Sequence, residues 1–415
     1  HSKKQRGLQN GSMSSDDSDR ERRIMVKVTT RAAYLAVATF GVVSLLGDIP
    51  YEGGRGIVPQ YLSFLGASAT LVGTTSGAGE FLGYAMRLVG GPLADRTQAY
   101  WVLMFLGYGL IVSIPLLGLT RSIEVTILLV LLERVGKGLR TPSRDTILSV
   151  ASKGIGVGKA FGIHEFLDQV GGVSGPALMT ALLFYTRGDY SITLTALFAP
   201  YAALIIALFY AYKKTGNVTK LDARHEVTGE KRLGKGFYMY SGAVALNTVG
   251  LLPISLILFR ASTILPVAQG WIIPILYVLV QVVDAPIALM SGIVFDRIGI
   301  KILMIPFVLS LLPSIFFTGQ SFEWLILASI AFGIVLGMRE SVYRAAIPGF
   351  AHLSVRGTAY GIFNTALGLA YVAAGMIFGF FLDTGISQVL VMAFVATSQA
   401  LAVLLLLRSA RMSRL

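Results

Sequence analysis

Twelve apolar stretches, each close to the length that a bilayer crossing demands, leave this chain few ways to fold. A helix crossing the hydrocarbon core needs about 20 mostly apolar residues. Such segments fall near 32–62, 69–94, 100–119, 123–147, 158–185 and 190–212, and again near 236–259, 266–294, 301–318, 322–347, 357–382 and 386–408. Only 14% of the 415 residues are charged and 54% are hydrophobic, whereas a soluble domain would be about a quarter charged. The expectation is an all-α integral membrane protein. No charged n-region, short apolar core and small-residue cleavage site precede the first segment, so that segment reads as a membrane helix rather than a signal peptide.

Six segments lie on either side of Lys213–Lys235, a polar connection rich in Lys and Arg. The chain is therefore expected to divide into a tag remnant and disordered cytoplasmic tail at 1–31, a bundle at 32–212, a cytoplasmic linker at 213–235, a second bundle at 236–408 and a short cytoplasmic tail at 409–415. Residues 1–12 read as the tag remnant, ahead of Met13. The net charge of +13 is explained by basic loops rather than by a nucleic-acid partner. Arg20, Arg22, Arg23, the linker, Arg297, Lys301, Arg356 and Arg408 would share one membrane face, against Arg121, Arg187 and Arg260 on the other. The positive-inside rule makes the richer face, with both termini, cytoplasmic, and the plasma membrane is the expected location. With no cysteine in the chain, disulfides and thiolate metal sites are excluded.

Charges set among apolar spans cost about 2.5–3.5 kcal/mol each at a helix centre, which makes them functional candidates. They are densest between Glu133 and Pro176. In the first span Asp48, Glu52 and Arg55 share a helical face; they read as an acid–base cluster facing a substrate, or as a Glu52–Arg55 pair that neutralises itself. Pro50 and Gly53-Gly54 among them would let the helix unwind locally beside a cavity. Glu80 lies near mid-depth in the second span. In the fourth, Glu133, Lys137, Arg140 and Arg144 form one stripe, with Glu133 and Lys137 spaced to pair and Arg134 on a neighbouring face. The substrate-binding candidates are Asp48, Glu52, Arg55, Glu80, Glu133 and Lys137.

The fifth span carries His164, Glu165 and Asp168. Burial disfavours the charged form of a carboxyl, and imidazole titrates near neutrality, so these are proton-coupling candidates; His164 reads equally well as a packed polar residue. Arg140, Arg144 and Asp145 descend toward the cytoplasmic end, where they are expected to latch a gate with Asp95 and Arg96. The second half is poorer in charge. Asp284, Arg339, Glu340 and Arg344 stand out there, with Asn247, Gln281 and Asn364 as neutral candidates. Ion handling is therefore expected in the first half, and apolar or aromatic substrate contacts in the second.

The halves also repeat each other. Gly138-Leu-Arg140 and Gly337-Met-Arg339 stand 199 positions apart, and Ala160-Phe-Gly-Ile-His-Glu165 meets Ala359-Tyr-Gly-Ile-Phe-Asn364 at the same offset. Four motifs accompany this repeat: Gly91-Pro-Leu-Ala-Asp95-Arg96, its fuller counterpart Gly292-Ile-Val-Phe-Asp296-Arg297-Ile-Gly299, Arg134-Val-Gly-Lys-Gly138, and Gly171-Gly-Val-Ser-Gly175-Pro176. In that order, on twelve spans, they resemble the major facilitator superfamily from about Thr30 onward. The resemblance extends to a prokaryotic branch known only as transporters by inference. The first loop motif departs from the family pattern, because Thr97-Gln98-Ala99-Tyr100 replace the usual Gly and basic pair.

The resemblance implies two pseudo-symmetric six-helix bundles that rock around a site at mid-membrane. It implies a secondary transporter and not an enzyme, and it gives Arg134 a part in proton transfer. Asp296 and Arg297, in the second loop motif, join the expected cytoplasmic gate. The helix-5 motif resembles that of antiporters, so the reading favoured at this point is proton-coupled export of a small organic solute by a monomer. Uptake stays open, as do a divalent-metal or inorganic-ion transporter and a non-transporting receptor. No cofactor is expected, and no phosphate-binding loop of the nucleotide-hydrolysing kind occurs.

Overall fold

The computed structural model describes residues 15–151, 155–215, 233–352 and 355–412. Twelve helical rods account for nearly all of them. The first half comprises α1 (Ser15–Phe64), α2 (Ala69–Thr97), α3 (Tyr100–Leu119), α4 (Ile123–Ala151), α5 (Val157–Tyr185) and α6 (Tyr190–Thr215). The second comprises α7 (Lys235–Ile264), α8 (Ile273–Ile298, led in by a 3-10 stretch at Val267–Ile272), α9 (segments between Gly299 and Phe317), α10 (Phe322–Ala345), α11 (Arg356–Thr384) and α12 (Gln388–Ala410). Taken on length and hydropathy alone, eight spans qualify, with α8 and α9 merged into one. Helices α2, α4 and α5 do not qualify, because glycines and charges dilute their apolar content. These are the helices that carry most of the polar candidates.

Three local expectations change. Residues 15–31, expected as a disordered tail, continue α1 as helix; the acids Asp16 and Asp17 in its first turn suit the helix dipole. Helix α1 also stays helical through Pro50, Gly53 and Gly54. Gly53 instead lets α1 approach the carbonyl of Gly175 on α5, and Gly54 faces Ile114. Helix α7, by contrast, does break at mid-length: it stops at Val249 and resumes at Ile254 after Pro253. Most of the expected linker, residues 216–232, lies outside the described residues, as do residues 1–14 and 413–415.

The two halves meet most tightly between α2 and α11. A Cβ on Gly375 would sit 2.0 Å from the Gly73 carbonyl oxygen, and one on Gly77 would sit 2.4 Å from that of Tyr371. Such approach is possible only where the residue turned toward the neighbouring backbone carries no side chain. At the top of this seam Asp383 accepts from the Ala69 and Thr70 amides, both at 2.8 Å, and from Thr70 Oγ1 at 2.6 Å. It thus caps the N-terminus of α2 from the other half of the molecule. Across the same face Phe184 meets Trp271 with ring centroids 5.0 Å apart. The face opposite the α6 and α7 linker ends is therefore closed. At the linker face, Glu165, Glu340 and Arg344 are exposed around the mouth of a central cavity.

Replacing Gly375 by Val is expected to wedge this seam open. A cysteine placed at Ala69, which is 0% exposed and faces Gly379 of α11 in the closed seam, should then react with a water-soluble maleimide. Unchanged protection of that cysteine would contradict the closed-seam reading.

Candidate functional site

The cavity between the halves measures about 200 Å³. Its wall holds seven carboxylates and six cations, so it is nearly neutral although the chain as a whole is strongly basic. Helices α1, α2, α4 and α5 supply one side; α7, α8, α10 and α11 supply the other.

On the first-half side the charges alternate in a continuous chain. Lys137 Nζ lies 4.0 Å from Glu52, and Arg55 lies 3.6 Å from Glu52 and 2.9 Å from Glu80. Arg134 continues it, 3.4 Å from Glu80 and 3.7 Å from Glu133, and Arg140 ends it 3.2 Å from Glu133. The hub is Tyr51, which is 1% exposed. Its hydroxyl accepts from Arg134, and Lys137 stands 3.8 Å from its ring centre, with Arg55, Arg134 and Arg140 within 6 Å. A tyrosine face stabilises cations in this way. Tyr277 on α8 donates to Glu52 at 2.7 Å and so ties the second half into the chain.

Behind it, α1 and α5 press together because Gly171 and Gly175 lie against the carbonyls of Leu45 and Ile49. This contact brings the Asp48 side chain against Gly171, one turn from Asp168, and both acids line the cavity. Arg144 approaches Asp168 at 3.7 Å while holding Asp145 at 2.9 Å and Ser44 at 3.0 Å. His164, 2% exposed, sits behind the cavity wall, 4.0 Å from Asp168 and 3.4 Å from Ser44. Glu165 faces the open mouth.

Several expected partnerships differ in the structure. Glu133 does not pair with Lys137. Its seventh neighbour, Arg140, takes it instead, because Gly107 on α3 leaves room for the Arg140 side chain and accepts from it at 3.2 Å. Lys137 turns to Tyr51 and Glu52 on α1. Among the described residues Arg140, Arg144 and Asp145 form no ion pair with Asp95 or Arg96; Arg140 pairs with Glu133, and Arg144 with Asp145 and Asp168, inside the first half. Asp95 instead accepts from the Tyr100 hydroxyl at 3.1 Å. Asp296 and Arg297 are exposed and join no ion pair among the described residues.

The second half is also less apolar at the cavity than expected. Asp284, Gln281, Arg339, Glu340 and Arg344 all line it. Of the neutral candidates, Asn247 serves structure: it binds Ser310 at 2.9 Å, Gln399 at 2.7 Å and Tyr343. Tyr51, Tyr84, Tyr277 and Tyr371 were absent from the expected set. Tyrosine is common in membrane helices, and nothing in its sequence spacing marks a cation platform. Among the described residues, no group of three or more His, Cys, Asp or Glu could hold a metal ion.

A family model for the Major Facilitator Superfamily matches residues 35–305. The chain belongs to this superfamily. Members are transporters and not enzymes, which fixes this chain as a multi-pass secondary transporter of the superfamily. It is 32% identical over 389 residues to an uncharacterized protein of Mycobacterium tuberculosis, covering 92% of this chain and 95% of that one. It is 28% identical over 355 residues to an uncharacterized MFS-type transporter of Methanocaldococcus jannaschii, covering 83% and 87%. The fold is similar to that of a mutant of the nucleoside transporter NupG, with a TM-score of 0.72 at 15% identity, covering 91% of this chain and 99% of that structure. The superfamily's helix-4 motif accordingly lies at Arg134–Gly138, inside the alternating chain.

Among the described residues Glu133 is the one carboxylate paired with Arg140, and both side chains are at most 5% exposed. Removing one partner of such a buried pair costs about 3 kcal/mol or more. Glu133→Gln is therefore expected to melt at markedly lower temperature in detergent, and Glu133→Gln with Arg140→Gln to recover much of the loss. Equal melting of all three proteins would count against the pairing.

Proposed function

We propose that this transporter exchanges a small organic solute for protons, working as an exporter with its linker face in the cytoplasm. The observation that carries proton coupling is the placing of Asp48 and Asp168 together on the cavity wall where α1 and α5 cross. Two carboxyls so close hold one proton between them readily, because both cannot be charged without strong repulsion. Arg144 and His164 sit at the back of Asp168 and orient it, while Glu165 at the open mouth offers a relay to water. Arg134, in the chain linking α1, α2 and α4, transmits the change of charge toward Glu80 and Glu52.

The coupling is mechanical. Asp48 and Asp168 belong to α1 and α5, helices held together by the Gly171 and Gly175 contacts. Loss of the shared proton places two anions across that seam and favours displacement of one helix against the other. Asp48, Glu52, Arg55, Glu80 and Lys137 then form the solute's surroundings in the first half, with Tyr277 and Gln281 opposite. Alternating access requires the α2–α11 seam to part while the linker-side ends approach, as in a two-state rocking of bundles. The exposed pairs Asp95–Arg96 and Asp296–Arg297 stand at those ends and would meet in the other state. The export direction rests on the likeness of Gly171–Pro176 to the antiporter motif, and the basic linker face supports a cytoplasmic position for the cavity mouth.

Because the chain has no cysteine, spin labels at Tyr185→Cys and Val267→Cys, sites 80% and 90% exposed on the closed face, report the separation of the halves alone. Their distance distribution in lipid nanodiscs is expected to shift between acid and neutral pH, and Asp168→Asn should abolish the shift. A wild-type distribution that ignores pH would sink proton coupling.

A further inference from the structure

The 199-residue repeat places Arg339 on α10 where Arg140 stands on α4. Arg140 is neutralised by Glu133 at 3.2 Å. At the same offset from Glu133 the second half has Phe332, which is buried at the cavity wall. The duplicated cation has thus kept its position and lost its counter-ion. Arg339 is 2% exposed, and it forms no ion pair among the described residues. One of its terminal nitrogens donates to Thr248 at 2.8 Å and to the Tyr371 hydroxyl at 3.3 Å, while Nε and Nη1 have no hydrogen-bond partner. A buried guanidinium left in this state is costly.

Its surroundings repeat the theme. The guanidinium lies 5.6 Å from the ring centre of Tyr371, which stacks on Tyr84 of the other half at 6.2 Å. Over Tyr84 stand Arg87 of α2, at 5.5 Å, and Arg344 of α10, at 5.7 Å. Neither forms an ion pair among the described residues, and all three arginines line the central cavity. Two stacked tyrosines therefore carry three guanidinium groups, drawn from both halves, that form no ion pair among the described residues. The four cations of the alternating chain, by contrast, each lie within 4.0 Å of a carboxylate. Guanidinium groups bind planar oxyanions by paired hydrogen bonds.

We propose that Arg339, flanked by Arg87 and Arg344, is the subsite for an oxyanion group of the transported solute, a carboxylate or a phosphate. This rests on the transport reading only in taking the cavity as the solute's site. The bound oxyanion supplies the charge that Glu133 supplies to Arg140, and it draws α2 and α10 together because its partners come from both.

The test uses full-length protein in detergent, with melting followed against inorganic phosphate and succinate, each compared with sodium chloride at matched ionic strength. At least one oxyanion is expected to raise the melting temperature saturably; phosphate alone, succinate alone or both identifies the preferred group. Arg339→Gln should weaken the apparent affinity about tenfold or more. Phe332→Glu, which restores the counter-ion of the first half, should abolish the effect while leaving Arg339 in place. Arg87→Gln keeps the test available should Arg339→Gln fail to fold, and it too should weaken binding. Oxyanions no better than chloride would overturn the proposal, as would a shift that survives Phe332→Glu and Arg87→Gln. No transport or pH gradient enters this measurement, so its failure leaves the proton-coupling test standing.

Discussion

Glu52, Glu80 and Glu133 each touch two cations, and Arg55 and Arg134 each bridge two of those acids. Within spans that lie in hydrocarbon, a lone charge would be prohibitively placed; a chain of alternating sign spreads the cost and lets every member find a partner. That requirement fixes much of the first bundle. It decides which faces of α1, α2 and α4 look inward, why Tyr51 is buried among cations, and why glycines at 79 and 107 open room for arginine side chains. Because the chain ends in a cross-half bond from Tyr277 to Glu52, the electrostatics of one bundle are felt by the other.

The second bundle solves a different problem with the same scaffold. Its interior polar hub is Asn247, a neutral group satisfied by Ser310, Gln399 and Tyr343. Its charges are displaced to the cavity wall and left open. The duplication thus separates two tasks: one half keeps its ions bound to each other, and the other presents them to whatever enters. Proximity of the open groups to the paired ones means that a solute's charge and a proton's charge act on one shared electrostatic field.

The spans, their division into two sets and the repeat were legible in the sequence, because bilayer thickness imposes a length on every crossing and helical spacing shows which residues share a face. The acids and bases lining the first half of the cavity were legible for the same reason. Their partners were not. Glu133 has Lys137 one turn away and Arg140 two turns away, and the choice between them lies with α1 and α3, which offer Tyr51 to one and the Gly107 carbonyl to the other. The partners of Arg140 and Arg144 in this open state show the same limit: depth along a helix was readable, but the neighbour facing it was not. The break in α7 had a visible signal in Gly250 and Pro253 that the hydropathy of the span concealed.

Asp383 gives the closed seam a property that packing alone would not. Its carboxylate holds amide and hydroxyl groups of Ala69 and Thr70 only while α2 and α11 touch. Both ends of that clasp lie at the rim of the molecule, where water stands ready to replace either partner. Hydrogen bonds exchanged with water in this way are worth little net. The clasp therefore aligns the closing helices without deepening the well they fall into. A carrier needs closure of that kind, since a face sealed too firmly would turn each cycle into a long dwell.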